Sequence, residues 1–151
     1  YEEQIDNEKY EYKPRDFAAA RRNGIEDLLT RLNAARAAHP ALRQLRDIYF
    51  HPTSDDQILA YSKRVDASHS PTGKDDVILT VVNLDPHGAR AGEVYLNLEA
   101  LGLPGWVDAS HPVIRVTDEL TGASYEWSGQ NYVRLAPFAG QAAHVFSVEP
   151  L

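Results

Sequence analysis

From residue 48 onward the chain consists of short apolar or alternating stretches separated by turn residues. Alternation with a period of two places successive side chains on opposite faces of a strand, and clusters of Gly, Pro, Asn, Asp and Ser mark the turns between strands. Short strands at this spacing, without long helices between them, are typical of an antiparallel β-sandwich. The pattern predicts about eight strands, at residues 48–51, 58–63, 77–84, 94–98, 113–118, 124–127, 132–135 and 143–148.

The part of the chain before residue 47 has a different character. Residues 1–17 are polar and aromatic without any period, which predicts a long loop. Apolar residues then recur at the i, i+3, i+4, i+7 spacing of an amphipathic helix, at Ile25, Leu28, Leu29 and Leu32.

The ends of this helix also carry signals. Asn23 can cap its start, with Glu26 completing a capping box, and His39-Pro40 should end it, with one further turn at 41–45. We therefore divide the chain into a helix-bearing segment, 1–46, and an all-β domain, 47–151. A single helical turn is also expected at 98–103.

Charge and composition exclude several classes of protein. The formal net charge is −7, so nucleic acid and anionic membranes are unfavourable partners. Cysteine is absent, which excludes disulfides and thiolate metal sites, and no apolar run is long enough to span a bilayer. We predict a soluble, cytoplasmic protein. Methionine is also absent and the chain begins Tyr-Glu-Glu, so we expect a piece of a longer protein.

Three pairs of neighbouring acids are candidates for glycosidase-type catalytic carboxylates. They are Asp55-Asp56, Asp75-Asp76 and Asp118-Glu119. Each pair lies in or beside a predicted turn, where aspartate is favoured, and neighbouring side chains on a strand point in opposite directions. We interpret all of them as solvated turn residues. The histidines lack metal-ligand spacing, so the residues predict no catalytic group, no metal site and no cofactor in this chain.

Tyr125, Trp127 and Tyr132 could form a platform on which a sugar ring stacks. Tyr125 and Trp127 are two residues apart and therefore share one face of a strand. Since a sandwich normally buries that face, the pattern favours a place in the core over sugar binding.

Lys9 and Tyr10 place a cation beside a phenol in a segment that is too polar for a core. Both groups can bind phosphate or sugar oxygens. From the residues alone, a solvated charged loop is the simpler interpretation.

The loop also carries a family resemblance. Residues 6–17 (DNEKYEYKPRDF) resemble the segment after the last barrel strand of the α-1,4-glucan:maltose-1-phosphate maltosyltransferases, bacterial enzymes of the α-amylase superfamily, glycoside hydrolase family 13. Further blocks cover almost the whole chain: TRLN at 30–33, RAAHPAL at 36–42, AYSK at 60–63, VVNLDPH at 81–87, DELTG at 118–122 and NYVRL at 131–135. The chain departs from the family pattern mainly at 66–76 and 102–112, which we expect to be surface loops.

The resemblance implies that the helix is the last one of a (β/α)8 barrel and that 47–151 is the Greek-key type C-terminal sandwich of amylase-like enzymes. The full enzyme would transfer a maltosyl unit from α-maltose 1-phosphate to the non-reducing end of an α-1,4-glucan, with retention and release of phosphate. Its catalytic carboxylates would lie upstream, the remainder of the barrel would be this chain's partner, and the full enzyme would be a homodimer.

Among the site residues, Lys9 and Tyr10 match the family's pair that contacts maltose 1-phosphate, so the resemblance assigns them donor binding without a role in bond breaking. The alternatives left open are a carbohydrate-binding module and a purely structural sandwich.

Overall fold

The computed structural model describes residues 10, 12, 14, 16–18, 21 and 24–151. Helix α1 spans Glu26–Ala38 and is followed by a 3₁₀ helix at Pro40–Arg43; a second 3₁₀ helix lies at Pro137–Ala139. The strands are β1 Ile48–His51, β2 Ile58–Val65, β3 Asp76–Asn83, β4 Arg90–Tyr95, β5 Ile114–Asp118, β6 Ser124–Trp127, β7 Gln130–Leu135 and β8 Ala143–Pro150.

These strands form two sheets. The larger sheet has six strands in the order β1-β2-β3-β8-β5-β6, and the smaller one pairs β4 with β7. Every pairing is antiparallel. The prediction of a mainly β, antiparallel sandwich is therefore confirmed.

The alternating pattern of β2 and β3 shows how the sequence builds this sandwich. Ile58 and Ala60 on β2, with Leu79 and Val81 on β3, point toward the smaller sheet and join a core that includes Val94 of β4 and Leu135 of β7. Burial of such side chains is the main favourable term in folding. Because the core draws on both sheets, the two layers form one packed unit.

The opposite face of the six-stranded sheet is covered by the helical segment. Ala41 packs there in a second cluster with Val65, Ile78 and Val145, and the partly buried Leu32 and Leu42 lie against them. The chain can make this turn because His39 is extended, at φ −105° and ψ 111°, and Pro40 starts the 3₁₀ helix. The predicted break at His39-Pro40 and the further turn after it are confirmed.

The predicted capping of helix α1 is wrong. The N-cap position is occupied by Ile25, whose side chain has no hydrogen-bonding atom, so the capping box does not form. Asn23 itself lies outside the described residues. The apolar stripe exists, but Ile25, Leu28 and Leu29 on it are exposed, and only Leu32 packs against the sandwich.

Strand β4 starts at Arg90 and ends at Tyr95, whereas the sequence pattern predicted 94–98. Its first residues are polar or small, so they carry no apolar signal. They pair nonetheless with β7, and at Gly92 a Cβ atom would lie only 2.8 Å from Ser54 Oγ.

The turn expected at 98–103 is present. Gly102 N–H donates to Glu99 O and Leu103 N–H to Leu98 O, at 2.9 and 3.0 Å. Gly102 has a φ of +90°, which glycine adopts without strain. Among the described residues, no helix is long and apolar enough to cross a membrane.

Candidate functional site

The predicted substrate-binding pair falls at the edge of what the structure describes. Lys9 lies outside the described residues. Tyr10 lies in a turn, with 89% of its surface exposed. The assignment of Lys9 and Tyr10 to donor binding stays a prediction.

The neighbouring acids have structural roles that differ from pair to pair. Asp55 accepts the Gln57 N–H at 2.8 Å and so caps its own turn, as predicted. Asp75 lies in an ion pair with Arg64 at 2.7 Å. Asp76 was expected in a solvated turn, but it is partly buried and accepts the Ala41 N–H at 2.7 Å.

Asp118 contradicts the turn interpretation most clearly, because it is fully buried. One carboxylate oxygen accepts the N–H groups of Leu120 and Val145, at 3.0 and 3.3 Å. The other lies 2.9 Å from His144 Nδ1 and accepts the Thr121 hydroxyl. Burial alone would raise the pKa of Asp118, but the hydrogen bonds from His144 and the backbone outweigh it and hold the pKa below its usual range.

A buried serine–histidine pair has the distance of a nucleophile and its base. Ser62 Oγ lies 2.9 Å from His51 Nε2. However, His51 Nδ1 accepts the Asn97 N–H at 3.1 Å, so the neutral ring carries its proton on Nε2 and donates it to Ser62. Burial lowers the pKa of His51 to about 4, which keeps this tautomer neutral. The ring has no lone pair left for the serine proton, so the pair is structural.

Metal chemistry finds no support in the part of the chain that the structure describes. No group of three or more His, Asp or Glu side chains is placed there to hold an ion.

A surface cavity of about 580 Å³ lies beside β1, and three of its charged lining residues, Arg64, Asp66 and His69, pair within the chain. Arg64 binds Asp75, which lies outside the lining, and His69 lies 3.1 Å from Asp66. Hydrogen bonds from Ser68 and His69 lower the pKa of Asp66 to about 2. Asp66, Ser68 and His69 thus stabilise the turn that follows β2.

A smaller cleft of about 180 Å³ opens where the edge strand β6 faces β7. Of the predicted aromatic platform, Trp127 is buried in the core as expected, whereas Tyr125 and Tyr132 are 44% and 62% exposed. The core interpretation is therefore right for Trp127 and wrong for Tyr125. Tyr125 sits on β6, the edge strand of the larger sheet, which has a neighbouring strand on one side only.

Polar groups line the same cleft. Arg134 and Gln141 lie on its rim, and the buried His144 lies beside Tyr125 with ring centroids 6.5 Å apart. Sequence reasoning missed His144, since a histidine alternating with apolar residues on β8 looks like any core position. The only signal was indirect, because an interior histidine needs a buried partner, and Asp118 is that partner.

The family model described as "GLGE, C-terminal" matches residues 50–148. The chain belongs to this family. The match to the GLGE C-terminal family covers strands β2 to β7 completely and includes parts of β1 and β8.

Curated relatives extend the similarity beyond the sandwich. The chain is 46% identical over 151 residues to the α-1,4-glucan:maltose-1-phosphate maltosyltransferase of Arcanobacterium haemolyticum. The aligned region covers 99% of the chain and 21% of that protein. It is 48% identical over 150 residues to maltosyltransferase 2 of Streptomyces coelicolor, covering 97% of the chain and 20% of that protein. The corresponding protein of Mycolicibacterium smegmatis is 46% identical over 151 residues, with the same coverage. The chain thus spans about a fifth of the length of these relatives.

Proposed function

We propose that this chain is the C-terminal part of an α-1,4-glucan:maltose-1-phosphate maltosyltransferase. One observation carries the proposal: identities of 46% to 48% extend over almost the entire chain, helical segment and sandwich together, to bacterial proteins of that name. Similarity confined to the sandwich would equally fit a module that had been joined to other enzymes.

The full protein would transfer a maltosyl unit from α-maltose 1-phosphate to the non-reducing end of an α-1,4-glucan and release phosphate. Transfer with retention needs two carboxyl groups about 5 Å apart, one as nucleophile and one as acid and base. The candidate acids Asp118, Asp76 and Asp55 do not support that role. Asp118 is fully buried, Asp76 holds the helical segment, and Asp55 caps a turn. We therefore assign the catalytic carboxylates to the remainder of the protein.

Within this chain, Lys9 and Tyr10 would contribute to the donor site. A lysine ammonium is a suitable point charge for the phosphate of the donor, and a tyrosine hydroxyl can bind phosphate or sugar oxygens. Both residues would orient the donor without taking part in bond breaking.

The helical segment 1–46 would complete the catalytic barrel, with α1 as its last helix and 47–151 as the accessory sandwich. The exposure of Ile25, Leu28 and Leu29 supports this, since a contiguous apolar stripe on a helix usually faces another layer of structure. Phe50 on the edge strand β1 adds to the uncovered apolar surface. We propose that the remainder of the barrel covers the helix stripe. The cytoplasmic location and the homodimer of the full enzyme stay predictions.

The test is phosphate release from maltose 1-phosphate. The full-length protein should release phosphate and lengthen a maltooligosaccharide acceptor, and the 151-residue chain should release none. Turnover by the chain alone, or no turnover by the full-length protein, would reject the proposal.

A further inference from the structure

We propose that the cleft between β6 and β7 binds one glucose unit of an α-glucan chain. That the ligand is a sugar is argued from the residues of the cleft. The choice of α-linked glucose rests on the proposed function.

The aromatic walls fit the apolar face of a pyranose. Tyr125 and Tyr132 expose their rings at the cleft, where a flat ligand can stack on them. Tyr125 is held by an edge-to-face contact with Phe146, at a centroid distance of 6.1 Å and an interplanar angle of 79°. A ring fixed before binding loses little entropy when the ligand arrives.

The buried His144–Asp118 pair presents one ring nitrogen of fixed position, His144 Nε2, for hydrogen bonding to a ligand. His144 Nδ1 faces the Asp118 carboxylate at 2.9 Å and therefore carries the proton that this bond needs. In the neutral ring, Nε2 then keeps its lone pair. Nε2 has no hydrogen-bond partner among the described residues. Every fully buried side-chain nitrogen and oxygen in the described part of the chain does have a partner, so Nε2 is not fully buried. Because His144 lines the cleft, we infer that Nε2 is accessible from it.

Hydrogen-bond donors also line the cleft. The Arg134 guanidinium lines the cleft and makes no side-chain ion pair or hydrogen bond in the described part of the chain. The Gln141 amide nitrogen also lines it, 3.5 Å from His144 Nδ1. A sugar hydroxyl both donates and accepts, so a cleft that offers guanidinium and amide donors, an oriented histidine nitrogen and flat aromatic faces matches a pyranose better than it matches a simple anion.

The volume of the cleft and the net charge of the chain further restrict the class of ligand. A volume of about 180 Å³ is smaller than the roughly 300–1,000 Å³ of a drug-sized site, and is suited to a single sugar ring. The formal charge of −7 disfavours polyanions such as nucleic acid. Because β6 is an edge strand, a glucan chain can continue past the cleft.

The experiment is a titration of the 151-residue chain with maltopentaose and, separately, cellopentaose, followed by saturation-transfer NMR. We expect maltopentaose to bind, cellopentaose to bind at least fivefold more weakly, and Tyr132→Ala to weaken maltopentaose binding at least fivefold. Tyr132→Phe keeps the ring and should bind like the wild type. Tyr132 is mostly exposed, so its replacement should leave the fold intact. Tyr49→Ala is the matched control, because Tyr49 is 41% exposed on β1 at the opposite edge of the six-stranded sheet.

Absence of maltopentaose binding, or equal binding by the wild type and Tyr132→Ala, overturns the cleft assignment. Equal binding of cellopentaose overturns the α-glucan assignment. Phosphate release by the full-length protein is measured separately, so activity without cleft-dependent sugar binding would reject the cleft alone and leave the proposed function standing.

Discussion

His39 Nδ1 lies 2.7 Å from a carboxylate oxygen of Asp76, the first residue of β3. The other oxygen of Asp76 accepts the Ala41 N–H, also at 2.7 Å, and Glu119 lies 3.4 Å from the far nitrogen of His39. One carboxylate thus fixes both the residue that ends α1 and the 3₁₀ helix after it. These contacts attach the C-terminal end of the helical segment to the sandwich. The apolar residues near the N-terminal end of α1 stay exposed.

Replacing Asp76 with Ala should lower the free energy of unfolding of the chain. The change removes two hydrogen bonds to a charged, partly buried acceptor and leaves the Ala41 N–H without its partner, which costs about 2–4 kcal/mol. Urea denaturation measures the loss. Glu126→Ala is the control, since Glu126 lies in an exposed ion pair with Arg115 and its removal should cost less than about 1 kcal/mol. Equal losses for the two variants would contradict the assigned role of Asp76.

Most of the fold could be predicted from the sequence because alternation and turn residues are local signals. They predicted a strand that overlaps each of the eight in the described part of the chain, although the overlap at β4 is only Val94 and Tyr95. The bounds of β1 and β6 agree with the structure at both ends. Strand order could not be read in this way, since β8 lies between β3 and β5 through pairings that are distant in sequence. The start of β4 was missed because Ala91 and Gly92 pair through their backbone and show no apolar pattern.

Side-chain environments were harder to predict than strands. Asp118 has the sequence context of a turn and does accept the N–H of Leu120, yet it is buried because β8 brings His144 onto it. Tyr125 shares a strand face with the buried Trp127 but is exposed at the edge of the sheet. Both outcomes depend on neighbours far along the chain, which a local pattern does not specify.

His51 should make the stability of the chain depend on pH. Burial lowers its pKa from an ordinary value near 6.5 to about 4, so between these values the unfolded chain binds a proton that the folded chain does not. The contribution is therefore complete above pH 6.5 and is lost as the pH falls toward 4. At 1.36 kcal/mol per pKa unit, the loss is up to about 3 kcal/mol.

The variant His51→Gln isolates this effect. It lacks the titrating group, so the difference in unfolding free energy between the wild type and the variant should shrink as the pH is lowered from 7 to 4. Urea denaturation at several pH values provides the measurement. Parallel pH profiles for the two proteins would show that His51 does not titrate in this window.

The exposed stripe of α1 should matter only where another layer covers it. In the 151-residue chain, Leu29→Gln should change the unfolding free energy by less than about 0.5 kcal/mol, because Leu29 is exposed and glutamine is a good helix former. In the full-length protein the same change should cost about 1–3 kcal/mol, the loss of one buried leucine contact. Ala34→Gln, on the other side of the helix, is the control and should be neutral in both. Thermal unfolding of the variants in each context compares them; a neutral Leu29→Gln in the full-length protein would mean that the stripe stays uncovered.

Lys9→Ala should impair use of the phosphorylated donor by the full-length protein. If the Lys9 ammonium binds the donor, its loss removes a charge-assisted hydrogen bond of about 1.5–3 kcal/mol, and roughly 1.4 kcal/mol corresponds to a tenfold change. We expect KM for maltose 1-phosphate to rise about tenfold or more while kcat changes little, because the residue would bind the donor in the ground state and the transition state alike. Initial rates of phosphate release at varied donor concentration separate the two constants. Lys74→Ala is the matched control, since Lys74 is an exposed lysine in the turn before β3. Unchanged donor kinetics in Lys9→Ala would return Lys9 to a solvated loop without a role in binding.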